Sequence, residues 1–156
     1  MYPHKHNKML KLNLPEYPFK IKELEGKKMI FDRCRKKYVP LTPEEWVRQN
    51  LVEFLILEKK YPASLIVNEQ TIEVNRIKKR CDTVVYNKKG LPAIIVEYKA
   101  PHVRITQEVF DQIAMYNFTL QVDYLIVSNG MEHYCCKVDY EKRGYVFLEG
   151  IPENGY

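Results

Sequence analysis

Apolar and polar positions divide the chain into helix-length and strand-length stretches. Over residues 42–58, Trp46, Val47, Leu51, Phe54 and Leu55 form a broad apolar stripe at helical spacing. Thr42-Pro43-Glu44-Glu45 opens this helix with an N-cap hydroxyl, a proline at the first helical position and a glutamate at the capping-box position. Lys59-Lys60-Tyr61-Pro62 closes it. A second helix is predicted from an N-cap at Thr106 to about residue 120, with Val109, Ile113, Tyr116 and Leu120 facing the core. Glu108, Gln112 and Tyr116 form a line beside that stripe.

Shorter runs read as strands. Residues 65–67 and 71–74 are an extended pair or one strand interrupted near Glu69; 83–86 and 93–96 form a hairpin around Asn87-Lys88-Lys89-Gly90. Residues 124–128 make an apolar strand ended by Asn129-Gly130, and 133–138 and 145–148 follow as strands. Upstream, 19–22 and 29–32 suit a small hairpin around Glu25-Gly26-Lys27, followed by a basic turn and Tyr38-Val39-Pro40. Residues 1–14 are basic and unpatterned, as in an extended or frayed arm. Helix, strands, helix, strands in that order predicts an α/β domain: a central mixed β-sheet flanked by helices.

Composition narrows the class. The chain has 156 residues, 46% hydrophobic and 29% charged, which suits one globular domain with its own core. It has no apolar run of membrane-spanning length, and its polar start lacks a signal-peptide core, so a cytoplasmic location is expected. Cys34, Cys81, Cys135 and Cys136 have no CxxC spacing and read as reduced, mostly buried thiols. A net charge of +5, gathered in lysine doublets, permits a polyanionic partner without requiring one.

The candidate chemistry lies in the hairpin of residues 80–101. Asp82 enters its first strand; Glu97 and Lys99 leave its second, two residues apart and so on one face, with Tyr98 on the other. Closure around Lys89 and Gly90, in either of two registers, sets Asp82 opposite or diagonal to Glu97. Two carboxylates this close favour a divalent cation between them, and hard oxygen donors select Mg²⁺ or Mn²⁺. An ammonium at Lys99 would stabilise charge on an attacking hydroxide or a phosphate, a set suited to phosphodiester hydrolysis. Taken alone, the three residues fit ordinary strand-end charges on a solvated rim equally well. Elsewhere, His133 and Cys135 lack two further ligands for a soft metal, His102 reads as a loop histidine, and the chain has no phosphate-cradling glycine loop.

An Asp at the head of one hairpin strand and Glu-x-Lys at the end of the next resembles the PD-(D/E)xK nuclease motif. The ordered set KKRCDTVVYNKKG, IIVEYKAP, TQEVFDQIAMYN and YLIVSNGMEHYCCKVD resembles the N-terminal nuclease domain of type I restriction enzyme R subunits, from about Thr42 to Asp139. Cys81 stands where the motif has proline. The resemblance implies a restriction-endonuclease-like core over residues 42–156, preceded by the arm and small hairpin of 1–41. It implies Asp82 and Glu97 as Mg²⁺ ligands with the Tyr98 backbone carbonyl a third, Lys99 as the catalytic lysine, and Gln112 and Tyr116 as the helical Q-x-x-x-Y element. Glu45 resembles the extra acid many such nucleases bring to the metal, although it also fits the capping box. DNA is the implied substrate, and motor, specificity and methylation subunits the implied partners. The alternatives are a DNA- or protein-binding module that keeps the nuclease fold without cutting, and a metal-dependent hydrolase of small phosphates.

Overall fold

The computed structural model describes residues 9–155. A three-stranded antiparallel sheet comes first: β1 (Ile21–Leu24), β2 (Lys27–Asp32) and β3 (Lys37–Pro40), in the order β1-β2-β3. The β1–β2 turn falls at Glu25-Gly26, both at positive φ, as a two-residue hairpin turn needs. Helix α1 (Pro43–Leu57) follows. Then come β4 (Ile66–Val74), β5 (Ile77–Tyr86), β6 (Pro92–Tyr98), α2 (Gln107–Leu120), β7 (Tyr124–Ser128), β8 (His133–Asp139) and β9 (Gly144–Leu148). The six strands form one sheet in sequence order, antiparallel except for β6 and β7, which run parallel because α2 crosses between them. The expected mixed sheet with flanking helices is therefore present.

Each face of this sheet carries one helix. Val47, Leu51 and Leu55 of α1 pack with Ile94, Val96 and Tyr98; Val109, Ile113 and Tyr116 of α2 pack with Val84, Ile95 and Leu125 on the other side. All seven β6 positions are buried or nearly so, as a strand covered on both faces should be.

Local expectations were met unevenly, for physical reasons. The Thr42 hydroxyl accepts the Glu45 N–H at 3.0 Å, but Thr42 donates its own N–H to Pro40 (3.2 Å), so only half a capping box forms. Thr106 occupies the N-cap position of α2 without a side-chain cap bond. Residues 9–14 do not fray: Leu12 is buried, Asn13 donates to the Gly130 carbonyl (2.9 Å), and Trp46 Nε1 donates to the Leu10 carbonyl (2.8 Å). Gly130 makes room for this arm. At φ +84, a Cβ there would stand 2.8 Å from a Leu12 methyl. Residues 1–8 of the expected arm lie outside the described residues. All four cysteines are free, three of them buried.

Strand β5 starts earlier than its apolar pattern because below Thr83 it pairs with β4 alone, as a hairpin from Thr71 to Arg80 that turns at Asn75-Arg76. The interruption read at Glu69 is real. Glu69 has φ +59, and across it the buried side chains of β4 change face, from Ile66 on the α1 side to Ile72 and Val74 on the α2 side.

Candidate active site

The site lies where β5 parts from β6. Thr83 pairs with Val96, so Asp82 stands directly opposite Glu97, the first of the two registers the hairpin allowed. The ladder stops there. In its place the Asp82 side chain accepts the Tyr98 N–H at 2.9 Å, and β6 continues beside β7 alone, with Lys99 N–H bonded to the Ser128 carbonyl (2.9 Å). The strands thus separate where two carboxylates and a lysine project.

Glu97 is 4% exposed and sits on the α2 face. Gln112 Nε2 donates to its Oε1 (3.2 Å) and also contacts the Tyr116 hydroxyl (3.2 Å), so the two helical residues form one unit beside the acid. Tyr116 is at once a core aromatic and a polar neighbour, since its ring is buried while its hydroxyl reaches Gln112. Burial first and then the Asp82 charge push the Glu97 carboxyl up to about 8, with a hydrogen bond within the acid pair adding to the rise and Lys99 opposing it. Asp82 is likewise raised, chiefly by burial, against the lowering effects of the Tyr98 N–H and Arg48. Glu97 Oε2 is buried with no hydrogen-bond donor. A proton shared with Asp82, or a cation, would satisfy it.

Around the pair is a further set of charges. Arg48, 2% exposed on α1, gives one nitrogen to Glu69 Oε1 (2.6 Å) and stands 3.7 Å from Asp82 Oδ1, with its guanidinium over the Tyr98 ring at 5.6 Å. Glu69 is brought to the site by its left-handed backbone and also faces Arg80 at 3.5 Å. Glu44 is raised by burial and by the Asp82 charge, and lowered by Arg48 and Lys99, which places it at the rim of this cluster.

Glu45 is turned to a different task. Its carboxylate takes Arg48 (2.7 Å), Gln49 (2.8 Å) and Arg35, and Arg35 also pairs with Asp32. The expected extra acid is therefore a structural counter-ion, because one helical position turns the side chain by about 100° and gives the site side to Glu44. Asp32 further accepts from Asn68 (2.9 Å), Asn68 accepts from Thr83 (2.6 Å), and Thr83 accepts from the Tyr98 hydroxyl (2.9 Å). A buried polar chain thus joins the small sheet to the site. The one available signal was Arg48 itself, a charge inside the apolar run WVRQNLVEFL, which demands buried acids somewhere in the fold.

The remaining candidates stand apart. His133 bonds the Ser128 hydroxyl (2.7 Å) and the Asn13 carbonyl (2.9 Å), clasping the arm, while Cys135 is buried in the core. His102 is exposed in the loop after Lys99. Among the described residues, no three His, Cys, Asp or Glu side chains gather into a metal cage.

The family described as type I restriction enzyme R protein N terminus matches residues 43–152. The chain belongs to that family. A solved fragment assigned to an HsdR subunit of a type I restriction enzyme from Vibrio vulnificus YJ016 superposes on this R-protein N-terminal domain with TM-score 0.52 and 17% identity, over 72% of this chain and 24% of that one. The type IIG restriction endonuclease BpuSI is similar at TM-score 0.43 and 21% identity, over 70% and 13% of the two chains. At 17% identity the likeness to the first structure concerns the fold, and the R-protein N-terminal domain spans about a quarter of that structure's chain. No curated protein is similar in sequence. The small sheet β1–β3 precedes the matched residues. No helix among the described residues is long and apolar enough to cross a membrane.

Proposed function

We propose that this R-protein N-terminal domain is a Mg²⁺- or Mn²⁺-dependent DNA endonuclease within a type I restriction-like system, working beside motor, specificity and methylation subunits. The observation that carries the reading is the opposed pair Asp82–Glu97, both raised chiefly by burial and Glu97 further by the Asp82 charge, with one Glu97 oxygen buried and without a donor. Two hard oxygen donors fit Mg²⁺, which commonly takes one or two carboxylates and fills the rest of its shell with water and phosphate. Asp82 and Glu97 would hold the ion, with the Tyr98 carbonyl as a third donor. When bound, such an ion supplies a water of lowered pKa and neutralises charge on the phosphate.

The chain's own residues set the geometry. Tyr98 N–H and Arg48 fix the Asp82 carboxylate, and Gln112 fixes Glu97. Lys99 offers a cation to the attacking oxygen or the phosphate, and Glu44 at the rim could accept a proton from water.

The test incubates the purified chain with supercoiled and linear DNA in Mg²⁺ or Mn²⁺, beside D82A and K99A. Nicking by the wild type, lost in both variants, is expected; cleavage that persists in both would place the chemistry elsewhere. DNA retention on a gel with no cleavage in either metal would favour the non-cutting binding module.

A further inference from the structure

We propose that the outer face of the small β1–β3 sheet is a platform for single-stranded DNA, separate from the carboxylate site. Strand alternation puts Lys22, Met29, Phe31 and Tyr38 on one face of this sheet, and Lys20, whose carbonyl accepts the Phe31 N–H at 2.9 Å, flanks them. Ile30, Asp32 and Val39 point the other way and are buried. Phe31 and Tyr38 contact edge to face at 5.2 Å, stay half-exposed, and belong to neither core. Lys22 Nζ lies 4.0 Å from the Tyr38 ring centre and Lys20 Nζ 5.7 Å from that of Phe31.

Charge identifies the partner. Residues 19–40 hold eight Lys or Arg against three Asp or Glu, an excess of five that equals the net charge of the whole chain. Arg33 is paired with Glu53, and Arg35 with Asp32 and Glu45. Lys20, Lys22, Lys27, Lys28, Lys36 and Lys37 are all exposed, and none forms an ion pair with a carboxylate among the described residues. Lysines interleaved with solvent-facing rings on a sheet match a strand whose phosphates meet the ammoniums and whose unpaired bases stack on the aromatics. A duplex hides its base faces, and an acidic peptide has none, so either would use the lysines alone. The buried chain from Asp32 through Arg35, Glu45 and Arg48 to Asp82 fixes this platform relative to the site.

The choice of DNA rests on the cleavage reading; the binding does not. Fluorescence anisotropy in EDTA, with the whole chain and a short labelled oligothymidylate or the matching duplex, tests it. The single strand is expected to bind about tenfold more tightly than the duplex, the stacking of one or two bases. Tyr38→Ser should remove about that tenfold. K20E/K22E, at two exposed positions, should weaken binding and lower the salt dependence of log K by about 0.7 per lysine, while K88E/K89E, at exposed positions of the β5–β6 turn, leaves the preference for the single strand unchanged. Equal affinity for the two DNA forms, no effect of K20E/K22E, loss of the single-strand preference in K88E/K89E, or equal competition by polyglutamate would each overturn the platform. Single-strand binding without metal-dependent cleavage would sink the nuclease reading and leave the platform standing.

Discussion

Replacing Glu97 by Gln separates the acid pair from a solvated rim. Without metal, Glu97 ionises in the fold only at about 8 instead of 4.5, so the folded state holds a proton that the unfolded chain releases earlier. Stability is then fully present below pH 4.5 and falls as pH rises to about 8, because over that window the folded state binds more protons. At 1.36 kcal/mol per pH unit the whole shift sets a ceiling of about 5 kcal/mol. Since one shared proton relieves both acids, about half of that, 2 to 3 kcal/mol, is the expected alkaline loss. Glutamine keeps the shape and can bond Gln112 but has no charge to lose. Urea unfolding in EDTA at pH 5 and pH 9 should therefore show the wild type losing about 2 to 3 kcal/mol more than E97Q. Excess Mg²⁺ at pH 9 should restore the wild type only, by binding the folded state. Parallel pH profiles for the two proteins, or equal Mg²⁺ stabilisation of both, would refute the coupled pair.

Other substitutions separate the neighbouring acids. Glu45→Ala, which leaves Arg35 and Arg48 without their common partner, should cost about 3 to 5 kcal/mol in chemical denaturation, whereas Glu44→Ala should stay within about 1 kcal/mol and lower the nicking rate. Gln112→Ala should reduce nicking by about tenfold or more with little change in melting temperature, read by plasmid conversion and calorimetry. Gly130→Ala puts a methyl 2.8 Å from Leu12 at a left-handed position, so a loss of about 1 to 3 kcal/mol and faster proteolysis of the arm are expected. The thiols of Cys81 and Cys135, pushed by burial up to about 12, should react with a thiol reagent only on unfolding, in stopped-flow labelling near neutral pH.

What the sequence disclosed was local. Thr42-Pro43 at the α1 start, the Asn87–Gly90 turn, and the apolar run of β7 ending at Asn129-Gly130 each carry their signals within a few residues. Those signals set Glu97 and Lys99 on one face with Asp82 opposite or diagonal to Glu97, and helical spacing placed Gln112 beside Tyr116. Long-range features were hidden. Nothing near Glu69 announces a left-handed glutamate, since glycine or asparagine would be the usual choice there. The choice between Glu44 and Glu45 depends on helix phase against a sheet whose register is set elsewhere. The partnership of Arg35, Glu45 and Arg48 joins the β2–β3 turn to α1 across all of β3, and only the folded chain brings it together.

The chain of ion pairs also bears on where this unit can be cut. Sequence similarity begins at residue 43, yet Arg35, held by Asp32, lies before that boundary and neutralises Glu45 after it. A protein trimmed to the similar segment would keep every proposed catalytic side chain and still strand Glu45 against a single arginine. Swapping such domains between restriction enzymes should therefore succeed at joints placed before β1, where no buried charge is divided.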